Sequence, residues 1–366
     1  MVSKTRPRIA LDCMGSDAGV AGIAQGGIDA AESFPELLDV VLVGRQDQIE
    51  AALADKPPLP ENVSIQHADT EVPMHMSATD GARMRTSSVS VGLKLVKEQK
   101  ADAFVSPGNT GAVMASSLLT LGRIKGVARP AITSIFPTWT GRSTVVLDVG
   151  ANADCKPLHL SQFAIMGSVY SQVIFNHEAP RVGLLSIGEE RSKGNELIFN
   201  ARKLLADTKI NFIGNIEGRD ILSGMADVAV TDGFTGNIML KFAESLRPML
   251  VKSMQRQIQT NIFSRIGATL LLPFLRRMKQ RFDYAESGGA PLLGVNGVVI
   301  ICHGSSNARA IFNAIRVAYE MVSKGVLERT QAELETNHFG RDDAAKEKRE
   351  NNRDGVVYST AASDKR

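Results

Sequence analysis

Short, unbroken apolar runs constrain this chain before anything else does. RIALD (8–12), DVVLVG (39–44), VSIQHA (63–68), DAFVS (102–106), AITSIF (131–136), STVVLDVG (143–150), RVGLLSIG (181–188), INFIGNI (210–216), DVAVTDG (227–233) and NGVVIICHG (296–304) recur from end to end. A strand with one wet face alternates apolar and polar residues, whereas these hardly alternate, so both of their faces are buried. Between them lie segments of helical length: SVGLKLVKEQ (90–99), QFAIMGSVYSQVIF (162–175), NELIFNARKLLADT (195–208) and ARAIFNAIRVAYEMVSKG (308–325). The pattern predicts an α/β fold, a doubly wound, mainly parallel sheet with helices on both faces.

The chain has 366 residues, 43% of them hydrophobic, enough for a substantial core. A single α/β catalytic domain is expected over 1–328. Within it a helical excursion from the sheet is expected over about 238–283, with Pro248 and Pro273 as kinks or ends. Residues 329–366 are charged and poor in large apolar side chains, which predicts a disordered polar tail. The net charge of +3 is too balanced for wholesale nucleic-acid binding. Three widely spaced cysteines suggest neither a disulfide framework nor a zinc site and fit a reducing cytoplasm. No apolar run is long enough to span a membrane, and the first strand follows the N-terminus too closely for a signal peptide.

Function is sought where strands hand over to helices. ADVAVTDGFTGNIMLKFAE (226–244) packs Asp232, Gly233, Thr235, Gly236 and Asn237 into one such junction, more small and polar residues than a turn and a cap require. DAFVSPGNTGAVMA (102–115), GVVIICHGSSNARAIF (297–312) and IALDCMGSD (9–17) repeat the plan. Ligands of open parallel sheets gather at the carboxyl ends of strands, so the four turns are expected on one rim, lining one cleft. Asn109, Thr110, Thr235, Asn237, Ser305 and Ser306 supply donors suited to a small oxyanion, and the glycines let backbone approach it. Each turn taken alone is equally explained by ordinary helix capping. There is no G-x-G-x-x-G opening a helix and no phosphate-loop motif, which disfavours dinucleotide and ATP chemistry.

IGEERSKGNEL (187–197) places Lys193 and Asn195 between a strand and a helix; the loop is either solvated or a source of positive charge for the cleft. In LDVGANADCKP (147–157), Asp148, Asn152 and Asp154 make a weak metal signal and are better explained as loop-stitching side chains. Of six histidines only His303 lies in a candidate turn. In the excursion, Phe263, Ile266, Leu270, Leu271 and Phe274 accompany Arg276 and Arg277. Grease beside clustered base suits an anionic lipid surface, and equally a helical hairpin buried in a dimer.

Taken in order, IALDCMGSD, SPGNTGAVMASSL, LDVGANADCKPLHLSQFAIMGSVY, GLLSIGEERSKGNEL, FIGNIEGRDILSGMADVAVTDGFTGNIMLK and GGAPLLGVNGVVIICHGSSNARAI closely resemble the phosphate acyltransferase family of bacterial phospholipid synthesis, over most of residues 8–325. The resemblance implies an enzyme that makes acyl phosphate from fatty acyl-acyl carrier protein and inorganic phosphate, with a fold similar to phosphotransacetylases and isocitrate dehydrogenases. It implies a homodimer in the cytoplasm, peripheral at an anionic membrane surface where a glycerol-3-phosphate acyltransferase takes the product, with no cofactor. Phosphate is already an anionic nucleophile, so neither a metal nor an acyl-enzyme is required. On this reading Lys193 and Asn237 stabilise charge, and His303 donates a proton to the departing thiolate. Asn109, Thr110, Gly111, Thr235, Gly236, Ser305 and Ser306 hold phosphate, and Asp12, Gly15, Asn195 and Asp232 complete the substrate site.

Several positions depart from the usual family pattern. The first turn reads Gly15-Ser16-Asp17-Ala18 where Gly-Gly-Asp-His is common, so no proton transfer is assigned to it. Pro107 and Asn307 replace a frequent alanine and aspartate, FDYAESGGA (282–290) has a single tyrosine, and the basic run before Ser87-Ser88 is reduced to ARMRTSS (82–88). Two other readings stand beside the first. One is a phosphotransacetylase acting on coenzyme A thioesters; the other is a non-catalytic, membrane-bound scaffold.

Overall fold

Alternate residues of the first strand enter two different cores: Ile9 and Leu11 pack on one side of the sheet and Ala10 on the other. That is the physical content of an apolar run that does not alternate. The computed structural model describes residues 6–258, 267–271, 273–274 and 288–337. In chain order the strands are β1 (Arg8–Asp12), β2 (Asp39–Gly44), β3 (Val63–His67), β4 (Ala103–Ser106), β5 (Ala131–Pro137) and β6 (Ser143–Leu147). They continue with β7 (Val182–Leu185), β8 (Phe212–Ile216), β9 (Val228–Val230), β10 (Ala290–Leu293) and β11 (Val298–Ile301). All lie in one sheet in the order β3-β2-β1-β4-β11-β10-β5-β6-β9-β7-β8. Most pairings are parallel; β5 with β6 and β10 with both its neighbours are antiparallel.

β10 was not legible as a strand. It is four residues long and contains Pro291, which cannot donate to a ladder. It survives in the middle of the sheet because it shares its partners: Ala290 and Pro291 pair with β11, Leu292 and Leu293 with β5. Helices cover both faces. The helix Gly19–Ser33 lies so close to the helix Ala308–Ser323 that a Cβ on Gly26 would stand 2.8 Å from Ile311 Cβ. The helix Pro157–Phe175 is buried on nearly every side, as its all-round apolar sequence requires.

Two boundaries differ from expectation. The helix Gly233–Ile258 runs through Pro248, which is exposed, so the carbonyl that loses its partner can be hydrated. The helix Val326–Thr336 crosses the expected start of the tail at 329. Val326, Thr330 and Leu334 recur every fourth residue and are buried, a stripe hidden among charged neighbours. The rest of the expected tail, from residue 338, lies outside the described residues, as do parts of the excursion.

The amino ends of β7 and β9 are pinned by an ionic cluster. Asp227, 3% exposed, takes the Arg181 guanidinium in a fork at 2.9 and 3.0 Å, with Arg142 at 3.3 Å and His177 at 3.7 Å. Burial raises the Asp227 carboxyl, but the hydrogen bonds and charge of Arg181 and Arg142 outweigh it and the net shift is downward. A depressed carboxylate contributes stability above its unfolded value, and that contribution fades as pH falls through the folded value. Asp227→Asn is expected to lower the unfolding free energy at pH 7 by about 3 kcal/mol in urea titrations, with a smaller gap from wild type at pH 3.

Candidate active site

Three turns meet at the carboxyl ends of β1, β4 and β11. The Gly304 carbonyl accepts from the Asp17 N–H and the Ser16 hydroxyl, both at 2.9 Å, which ties the first turn to the last. Asp12, 1% exposed, accepts from the Ser106 hydroxyl at 2.7 Å and the Met14 N–H at 3.0 Å. Ser106 in turn accepts from the Gly108 N–H at 3.1 Å, so a carboxylate–hydroxyl–amide chain runs beneath SPGNTG. Gly15, at φ +70°, passes so near that a Cβ would stand 3.7 Å from Gly108 Cα. Burial pushes the Asp12 carboxyl up to about 6 against the opposing pull of the Ser106 and Ser88 hydroxyls and the Met14 N–H.

Over this frame the donors differ in what they already bond. Asn109 is spent: its Oδ1 caps the helix Thr110–Thr120 through the Ala112 N–H at 3.0 Å, and its amide donates to the Met74 and Met76 carbonyls at 2.9 Å. Thr110 and Gly111 occupy the first turn of that helix, where backbone N–H groups have no intrahelical acceptor. The Ser305 hydroxyl lies 2.8 Å from His303 Nδ1, and the Ser305 N–H also points at that nitrogen, at 3.2 Å. A ring nitrogen that accepts leaves the ring proton on Nε2. Ser306 is buried beside them, its N–H bonded to the His303 carbonyl at 2.9 Å.

The fourth turn is elsewhere, contrary to the expectation of one rim. Because β10 is antiparallel to both β11 and β5, and β5 in turn is antiparallel to β6, the sheet reverses sense between β11 and β6. Leu147 and Val230 therefore end at the edge where β4 and β11 begin. There Asp148, fully buried, accepts from the N–H groups of Ile132, Gly150, Ala151 and Asn152 and from the Asn152 amide, all within 3.1 Å. Burial still leaves its carboxyl raised. Gly233 and Gly236 let the next helix settle onto this loop: a Cβ at Gly233 would stand 2.6 Å from Asp148 Oδ2, and one at Gly236 would strike the Asp148 carbonyl oxygen. The surplus glycine at this junction thus has a packing cause. Asp232 caps the helix, accepting from the Thr235 N–H at 2.8 Å and hydroxyl at 2.9 Å, so the helix N-terminus already faces a carboxylate. Asn237 is exposed at the lip of the turn, beside Gly150.

β7 pairs with β9, so the Lys193 loop adjoins the Asn237 turn on this second edge. Lys193 is exposed and makes no ion pair among the described residues. Asn195 caps the helix Glu196–Ala206 through the Ile198 N–H at 3.0 Å. Beneath the loop lies Asn215, which the sequence reading passed over although it is a polar residue at the buried end of INFIGNI. Ser106 was missed likewise; a polar residue closing an apolar strand was the available signal. Burial pushes the Cys155 and Cys302 thiols up to about 12 and raises Cys13 as well, which suits inert packing and not nucleophilic attack. Leu270, Leu271 and Phe274 are exposed; Phe263, Ile266, Arg276 and Arg277 lie outside the described residues. Among the described residues no helix is long and apolar enough to cross a membrane.

The buried Asp12 carboxyl has a measurable signature. Its folded value is raised, so its ionisation costs nothing below the unfolded value near 3.8 and destabilises increasingly as pH rises towards about 6. Relative to Asp12→Asn, the wild-type protein is expected to lose up to about 3 kcal/mol of unfolding free energy between pH 4 and pH 7, read by chemical denaturation. A gap that stays constant with pH would contradict this.

A family model described as "Fatty acid synthesis protein" matches residues 7–329. The phosphate acyltransferase of Nostoc punctiforme is 49% identical over 335 residues, covering 91% of this chain and 98% of that one. That of Geobacter sulfurreducens is 46% identical over 330 residues, covering 90% and 94%. Among solved structures, a phosphotransacetylase from Streptococcus pyogenes aligns with a TM-score of 0.58 at 16% identity, covering 87% of this chain and 94% of that one. A 4-hydroxythreonine-4-phosphate dehydrogenase from Klebsiella pneumoniae aligns with a TM-score of 0.53 at 12% identity, covering 87% and 99%. At such identities the likeness establishes the fold alone, the α/β fold with a large, mostly parallel sheet. By the family match and the close relatives over nine-tenths of its length, the chain belongs to the phosphate acyltransferase family of fatty acid synthesis proteins.

Proposed function

We propose that this protein transfers a fatty acyl group from the thioester of acyl carrier protein to inorganic phosphate, releasing acyl phosphate and the carrier thiol. The observation that carries the reading is that each half of the sheet presents a glycine-rich, donor-bearing turn at its carboxyl edge, in a chain whose close relatives are phosphate acyltransferases. Strand twist of roughly 20–25° per step accumulates to about 140–175° over the seven steps from β1 to β7. On this reading the twist turns the carboxyl edge of the second half-sheet back towards that of the first, so that both serve one reaction site.

Phosphate is assigned to the first edge, at the N–H groups of Thr110 and Gly111 and beside Ser305 and Ser306, because the helix N-terminus on the second edge is already capped by Asp232. Lys193 and Asn237 on the second edge are assigned to the thioester oxyanion. A phosphate oxygen attacks the carbonyl carbon, the tetrahedral intermediate collapses, and the carbon–sulfur bond breaks. Proton balance follows the hydrogen-bond order. The phosphate hydroxyl gives its proton to Ser305 Oγ, Ser305 passes its own to His303 Nδ1, and His303 Nε2 releases its proton to the thiolate. Neither proton nor charge is left over, and His303 ends as the other neutral tautomer.

The wider reading includes a homodimer at an anionic membrane surface, delivering acyl phosphate to a membrane glycerol-3-phosphate acyltransferase. Exposed Leu270, Leu271 and Phe274 support the membrane contact.

The test is phosphate-dependent release of carrier thiol from palmitoyl-acyl carrier protein, with palmitoyl-coenzyme A as control donor. The carrier thioester is expected to be the substrate, and Lys193→Ala to lower turnover roughly a hundred- to thousand-fold. His303→Gln is expected to lower it about a hundred-fold while phosphate affinity stays near wild type. Preference for coenzyme A would move the protein to the phosphotransacetylase reading, and no release from either donor would leave a non-catalytic scaffold.

A further inference from the structure

Asn215 sits on β8, only 8% exposed, directly beneath the loop that carries Lys193. Its amide nitrogen converges on three carbonyls of that loop, Lys193 at 3.0 Å, Glu190 at 3.1 Å and Gly188 at 3.4 Å. Above this anchor the loop closes on itself through the Lys193 N–H to the Glu190 carbonyl at 2.9 Å. The Lys193 stem folds over Gly188, where a Cβ would stand 2.8 Å from Lys193 Cγ. On the outer side Glu189 pairs with Arg219 at 2.9 Å. A buried amide serving three carbonyls of one exposed loop fixes the backbone from which the lysine projects; an ordinary solvated loop has no such anchor.

Resting on the assignment of Lys193 to the oxyanion, we infer that Asn215 is a positioning residue for acyl transfer, acting only through the placement of Lys193. Its side chain is buried beneath the loop, against the loop carbonyls. Its loss leaves the charge in place but moves it, and displacement of a catalytic group by about an ångström is worth up to roughly a hundred-fold in rate.

The test is a double-mutant cycle in the full-length protein: wild type, Asn215→Ala, Lys193→Ala and the double variant, assayed with palmitoyl-acyl carrier protein and inorganic phosphate. Asn215→Ala is expected to lower kcat by about ten- to a hundred-fold with KM for phosphate within threefold of wild type. The double variant is expected to be no slower than Lys193→Ala alone. If Asn215→Ala does not fold, Asn215→Gln, which moves the amide one methylene out of register, carries the same comparison. Losses that multiply in the double variant, or a fall in Tm with kcat unchanged, would overturn the inference while sparing the function. Wild-type turnover in Lys193→Ala would instead overturn the assignment of Lys193 and this inference with it.

Discussion

The fold depends on three antiparallel pairings at the middle of its sheet. Two parallel half-sheets of opposite sense are joined by these pairings, β5 with β6 and β10 with both β11 and β5, and the shortest strand among β5, β6 and β10 is β10. The chain enters it through Gly288 and Gly289, at φ +77° and +78°, and leaves through Gly294, at +93°. Side chains with a Cβ rarely adopt these angles. Close packing adds to the demand: a Cβ on Gly288 would stand 2.7 Å from the Asn313 carbonyl oxygen. Because β10 divides its pairing between two partners, it tolerates a proline that a conventional central strand would not.

The reversal separates turns that look alike in sequence. At the first edge, SPGNTG and HGSSN are held by a buried hydrogen-bond chain from Asp12 and by the Gly304 carbonyl, which leaves helix N–H groups and the His303–Ser305 pair facing outward. At the second, the glycines of TDGFTGN are consumed by contact with the Asp148 loop, and Asp232 occupies the helix N-terminus. The same small and polar letters thus serve ligand access in one place and close packing in the other. What distinguishes them is the neighbour, a carboxylate at the cap in one case and none in the other.

Much of this was legible from the residues. Unbroken apolar runs dictated strands buried on both faces, and ten of them were placed by that rule alone. The turns that cap the helices Thr110–Thr120 and Ala308–Ser323 were found because strand, small polar turn and helix follow one another in the sequence. The single-rim expectation failed because strand sense is a non-local property, set by three antiparallel pairings among β11, β10, β5 and β6, and β10 carries no periodic signal. Asn215 and Ser106 were missed for a related reason: one polar side chain at a buried strand end acquires meaning only from the loop folded above it. The stripe Val326, Thr330 and Leu334 was obscured by the charges between its members.

In the proposed mechanism the two carboxyl edges serve one reaction site, with phosphate held on the first. The most direct measurement is the position of the anion in crystals of the full-length protein soaked in inorganic phosphate. Phosphate bonded to the N–H groups of Thr110 and Gly111 beside Ser305, with Lys193 and Asn237 facing it across the central strands, is the predicted result. Phosphate at the N-terminus of the helix Gly233–Ile258, with the first edge empty, would overturn that assignment.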